Sequence, residues 1–101
     1  MLSERVKHSL RLNWGDKAEA MDCFAEVKFI DESSDWQCYI YALDEDEDAI
    51  KCLIVHYPCS CLIVTWSLQE LYSFYNTQGE LPIVDSEYRR MKVSELYKRL
   101  I

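Results

Sequence analysis

Residues 36–66 read WQCYIYALDEDEDAIKCLIVHYPCSCLIVTW. Three runs within them, Trp36 to Leu43, Ile50 to Tyr57 and Cys61 to Trp66, are rich in aromatic and β-branched residues, the types that fit a pleated and half-buried surface. Only residues 44–49 and 58–60 separate the runs. Links this short join antiparallel neighbours, because parallel strands need a crossover of a dozen or more residues. Upstream, Cys23, Ala25, Val27 and Phe29 alternate with Phe24, Glu26, Lys28 and Ile30, the pattern of a half-buried strand, and Asp31 to Asp35 supply its turn. The sequence therefore predicts a four-stranded antiparallel meander.

Helical patterns flank it. Leu2, Val6 and Leu10 recur at four-residue spacing behind a capping Ser3, and Gly15 can stop the turn, which predicts a helix over 3–13. Ser67-Leu68-Gln69-Glu70 is a capping box, in which the serine hydroxyl takes the Glu70 amide and the glutamate reaches back to the Ser67 amide. Leu68, Leu71, Tyr72 and Tyr75 then fall on one stripe, and Gly79 gives a stop, predicting a helix over 67–78. Leu81 to Val84, containing Pro82, reads as extended. Val93, Leu96, Tyr97, Leu100 and Ile101 mark a last helix with Ser94 near its start. Tyr88 and Met91 are out of phase with it, so residues 86–92 form either a separate turn or a kinked first part of that helix. The fold class is α+β: the meander with an N-terminal helix and two C-terminal helices. Two glycines, two prolines and no low-complexity linker or repeat leave residues 1–101 as a single domain.

Half of the residues are apolar and 13% are aromatic, a composition that supports an ordered core. The early charges Glu4, Arg5 and Lys7 do not fit a secretory leader, and the run Cys61 to Val64 is far below the roughly 20 apolar residues of a membrane span. Five cysteines is an odd number, and four of them, Cys23, Cys38, Cys52 and Cys61, lie inside apolar runs, as buried thiols do. A reducing, cytoplasmic setting is expected.

Several constellations invite a site. Cys52, His56, Cys59 and Cys61 are zinc-ligand types, but along one strand Cys52 and His56 would stand about 13 Å apart at a rise of about 3.3 Å per residue, too far for one ion. His56 with Cys59 or Cys61 offers a base and a nucleophile without an orienting third group. Asp44 to Asp48 is five consecutive carboxylates, which suits a hard cation, yet the glycine and the distal glutamate of a calcium loop are missing. Phosphate-cradling glycine loops are absent as well. No cofactor, no metal and no catalytic residue is expected.

Charge distribution is more informative. Residues 1–11 sum to +2, residues 86–101 to +3 and residues 12–85 to −12, giving the net −7. In a meander, the 44–49 turn, the start of the first strand and the end of the fourth share one end of the sheet. Asp16, Glu19 and Asp22 lead into that end, so eight carboxylates, these three with Asp44, Glu45, Asp46, Glu47 and Asp48, are expected to converge there. The N-terminus of the helix over 67–78 lies at the same end and moderates the repulsion. Asp31, Glu32 and Asp35 fall at the other end. Such a surface repels nucleic acid and attracts basic protein surfaces, including those of nucleic-acid-binding complexes, and no membrane partner is expected. The basic set Arg89, Arg90, Lys92, Lys98 and Arg99 is interrupted by carboxylates and lacks a stacking platform.

At Trp66-Ser67-Leu68-Gln69-Glu70-Leu71 the chain resembles a family of small domains of unknown function found on plasmids and other mobile elements. Those sequences carry an aromatic-Ser-Leu-x-Glu-Leu motif after a β-hairpin and a Leu-Ser-Glu-Leu motif near the C-terminus, here Val93-Ser94-Glu95-Leu96. The family's glycine-tyrosine before the first motif is replaced by Val64-Thr65. The resemblance implies a mobile-element accessory protein and no established activity.

The expected function is thus a small, acidic, non-enzymatic protein-binding module. One use of it is inhibition by nucleic-acid mimicry, of the anti-CRISPR kind, in a host defence or DNA-processing system. A homo-oligomeric structural protein, a homodimer for example, burying exposed aromatics such as Trp14, Tyr39, Tyr41 or Tyr97 is the alternative. A metal or thiol protein built on Cys52 to Cys61 is the second.

Overall fold

The computed structural model describes residues 2–30, 36–46, 49–56, 60–77 and 83–100. Helix α1 (Glu4–Asn13) and the short helix α2 (Asp16–Glu19) precede strands β1 (Phe24–Ala25), β2 (Val27–Ile30), β3 (Trp36–Leu43), β4 (Ile50–His56) and β5 (Ser60–Trp66). Helix α3 (Leu68–Thr77), strands β6 (Ile83–Val84) and β7 (Met91–Lys92) and helix α4 (Val93–Leu100) complete the chain, an α+β arrangement. No helix among the described residues is long and apolar enough to cross a membrane.

The main sheet has five antiparallel strands in the order β5-β4-β3-β2-β6, not the four expected. The added strand is β6, whose two residues are too few to show a period. It is held to β2 by the Asp85 amide donating to Lys28 O at 2.9 Å and by a 3.2 Å ion pair between Lys28 and Asp85. A second correction concerns the segment from Cys23 to Ile30, which is two strands rather than one. β1 leaves the main sheet and pairs with β7, while Glu26 between them donates its amide to Ile40 O. The expected turn at 31–35, Tyr57, Cys59, Glu47, Asp48, Gly79, Pro82 and Ile101 lie outside the described residues.

Alternation along the strands is broken twice at one level of the sheet. Cys23 and Ala25 belong to the core on one face, whereas Val27 and Phe29 belong to the core on the other. On the neighbouring strand the register slips at Tyr41, since Ile40 faces Cys52 but Ala42 faces Lys51. This β-bulge moves Ala42 onto the side of Tyr39 and Tyr41 and returns Leu43 to the side of Cys38 and Ile40. At the bulge Asn13, the last residue of α1, donates its side-chain amide to Tyr41 O at 2.9 Å.

The first face, with Val27, Phe29, Ile40, Leu43, Ile50 and Ile54, is covered by Leu10 of α1 and Leu71 of α3. Ser3 caps α1 by accepting from the Val6 amide, and the Ser67–Glu70 box forms in both directions, at 3.0 and 3.3 Å. The α3 stripe differs from the expected one. Tyr72 is 38% exposed and Phe74 takes the inner position, its ring meeting Trp36 edge-on at 5.0 Å and Trp66 at 5.3 Å. Two indoles at the sheet surface provide a better apolar seat than a phenol at Tyr72 would need. The Tyr75 side chain lies outside the described residues.

The second face, with Tyr39, Tyr41, Ala42, Leu53 and Val55, is covered by Ala18 of α2 and by Val93 and Leu96 of α4. Gly15 enters α2 at φ +102, a conformation that a side chain rarely adopts, and so allows the two helices to follow with only Trp14 and Gly15 between them. Residues 86–92 are not part of α4: Ser86 and Glu87 form a turn that the Tyr88 amide closes by donating to Asp85 O, and Met91 lies in β7. The Tyr88 hydroxyl donates to Ala25 O at 2.7 Å, which fixes this segment to β1.

Candidate functional site

The acidic end is built at the β3–β4 turn. Asp44 closes the hairpin from both sides, its amide donating to Ala49 O at 3.0 Å and its Oδ1 accepting from the Ala49 amide at 3.1 Å. Glu45 and Asp46, beyond it, are exposed. The strand pairing sets Leu43 beside Ile50 and Ile50 beside Trp66, so the end of β5 and the start of α3 lie at this level.

Helix α2 brings further carboxylates. Glu19 Oε1 is 2.8 Å from the Nζ of Lys51, one residue past the turn on β4, and Glu19 also acts electrostatically on the buried Tyr41. Asp22 is 3.1 Å from Lys92 Nζ on β7. Asp16 is exposed and makes no ion pair among the described residues. Sequence reasoning missed the lysines: Lys51 and Lys92 come from β4 and β7 and compensate two of the eight carboxylates. No local pattern signals a pairing across 32 or 70 positions.

The cysteine and histidine set is dispersed. Cys52 lies in the core of the first face and Cys61 packs against the core of the second. His56 stacks on Trp36, with ring centroids 4.0 Å apart. Among the described residues no three His, Cys, Asp or Glu side chains group as a metal site requires. Burial pushes the thiols of Cys38, Cys23 and Cys61 up from their ordinary pKa, and for Cys38 the neighbouring Cys52 thiol adds to the effect. All three shifts keep the thiol protonated and therefore weakly nucleophilic.

Two of the aromatics expected at an interface are buried, Tyr39 at 6% and Tyr41 at 2% exposure, because the bulge and α2 enclose them. Tyr97 packs against the second core, and Trp14 is 37% exposed with Lys51 Nζ over its ring at 5.6 Å. The more exposed apolar surface lies elsewhere, on β5, where Leu62 is 60% exposed. A polar cleft of about 420 Å³ lined by Ser3, Arg5, Val6, Ser9, Glu26 and Arg90 was likewise unanticipated. In it Arg90 is fixed by Glu26 at 2.7 Å and lies over the Phe24 ring at 4.5 Å.

Fold and site together define a small α+β domain with exposed carboxylates on the β3–β4 turn and α2, and with no group of three metal-ligand side chains among the described residues. No protein-family model, curated protein or solved structure matches the chain.

Proposed function

We propose that this protein is a non-enzymatic binding module whose acidic end receives a basic surface of another protein. What supports the reading is that Asp16, Glu45 and Asp46 are exposed and that Glu19 reaches Lys51 near the β3–β4 turn. Carboxylates held on a hairpin tip and a short helix attract cationic partners through long-range steering that salt screens. Glu19 and Asp22 remain largely exposed in their ion pairs with Lys51 and Lys92, so both carboxylates stay open to a competing cation.

Within this reading, the partner is a nucleic-acid-binding protein or complex, and the module inhibits it by nucleic-acid mimicry of the anti-CRISPR kind. The resemblance of Trp66 to Leu71 and Val93 to Leu96 to mobile-element accessory domains supports that narrower assignment. Protonated, buried thiols and a His56 engaged with Trp36 support the non-enzymatic part.

The test is a pull-down from the native cell at low and high salt, using the parent protein and a variant with Asp44 to Asp48 replaced by serine and asparagine. The expected result is a partner retained at low salt and lost at high salt or with the variant. Duplex DNA should displace the same partner if the narrower assignment holds. A complex indifferent to both salt and the variant would rule the acidic end out.

A further inference from the structure

The two edges of the main sheet are unlike. At one edge β6 contributes two residues, too short to template another strand. At the other, β5 runs for seven residues, Ser60–Trp66, and pairs only with β4. Among the described residues no strand covers its outer side. Its sequence SCLIVTW holds no charge, proline or glycine, so the strand itself carries none of the residues that block edge pairing. Leu62 and Ile63 are exposed at 60% and 36%, one on each face of the sheet, although their β4 partners Ile54 and Leu53 are buried. Apolar burial therefore gives out at the middle of this strand, between Cys61, Val64 and Trp66, which are still partly buried against the cores.

We infer that β5 is a self-association edge, where a second copy of this chain adds its own β5 in antiparallel register to form a continuous ten-stranded sheet. Self-complementarity selects a second copy over a foreign strand. A twofold axis at Ile63 sets Leu62 opposite Val64 and Cys61 opposite Thr65, so no charge opposes a like charge in a protein of net −7. Each Leu62 then meets an apolar partner that continues the first core, and each Ile63 meets its own mate beside Leu53. A foreign strand would have to bring uncharged, apolar side chains at the matching alternate positions, which a second copy supplies by its own sequence. A strand junction of this length falls at the small end of specific interfaces, below about 1,200 Å², so the dimer should dissociate on dilution.

Sedimentation equilibrium from micromolar to near-millimolar protein tests the inference. The parent should pass from the 12.0 kDa chain mass towards twice that value as concentration rises. Ile63→Lys sets two ammonium groups face to face on the axis and should remain monomeric throughout, with unchanged circular dichroism; Thr65→Lys serves should that variant not fold. Ile63→Cys should oxidise to a covalent dimer joined through the introduced thiols, because directly opposed residues of an antiparallel pair lie within disulfide reach. A parent that is monomeric at every concentration, or lysine variants as dimeric as the parent, would overturn it.

Discussion

Under α1 and α3 the sheet presents Val27, Phe29, Ile40, Leu43, Ile50 and Ile54, whereas under α2 and α4 it presents Tyr39, Tyr41, Ala42, Leu53 and Val55. The first face is covered by two ten-residue helices and its large side chains interlock by volume alone. The second is covered by helices of four and eight residues, with Ala18, Ala25 and Ala42 letting them approach and tyrosines filling the gaps. Its elements are attached by polar groups: Tyr88 to Ala25 O, the Val93 amide to Cys23 O, the Ser94 amide to Met21 O. The division implies that the first face supplies most of the cohesion, while the tyrosines of the second add their own response to alkali beside that of the buried Cys38 thiol in the first.

The largest expected effect comes from breaking the first face. Phe29 is fully buried in this core, so Phe29→Ala removes a ring and leaves a cavity, at a cost of about 3–5 kcal/mol. Urea denaturation followed by circular dichroism measures it. A loss below about 1 kcal/mol would show that the face relaxes freely and is not the cohesive one.

The second face should reveal itself in alkali. Burial, with Cys52, Cys23 and Glu19 nearby, pushes the pKa of Tyr41 up to about 12 from an ordinary 10. The folded state thus holds this proton more tightly than the unfolded chain. The resulting stability is fully present below pH 10, falls as the unfolded phenol ionises, and is lost once pH passes the folded value near 12. Its size is on the order of 2 kcal/mol after allowance for solvent screening. Tyr39 and Tyr88 are shifted in the same direction, chiefly by burial. Melting temperatures across pH 9–12 should therefore decline, and Tyr41→Phe should flatten part of the decline. An identical profile for that variant would place the titration elsewhere.

How much of this contrast the sequence could announce depends on the range of each signal. The caps at Ser3 and Ser67 and the runs of β3, β4 and β5 are local patterns, and all were legible. The exchange of faces was not, because the break at Glu26 and the bulge at Tyr41 carry no glycine or proline; each is stabilised by the other across the strand pair. β6 and β7 have two residues each and exist through their partners. At the acidic end the carboxylates were legible as composition, but the lysines that pair with Glu19 and Asp22 arrive from distant strands. The expected meander already sets the last run, CLIVTW, at an edge, but so apolar a composition gives no sign that Leu62 stays 60% exposed there.

The smallest of these effects concerns the seam where the two faces exchange residues. Asn13 is the last residue of α1, a first-face helix, yet its side-chain amide donates to Tyr41 O on the bulge at 2.9 Å and reaches Phe24 O on β1 at 3.4 Å. Asn13→Ala removes the donor and leaves a part-buried carbonyl without it, which should cost about 1–2 kcal/mol. Leu12→Ala on the same turn, at a side chain 63% exposed, should stay within about 0.5 kcal/mol. Chemical denaturation of both variants separates helix propensity from the seam contact. Equal losses would mean that the bulge carbonyl is satisfied without α1, and the two faces would then be coupled by the sheet alone.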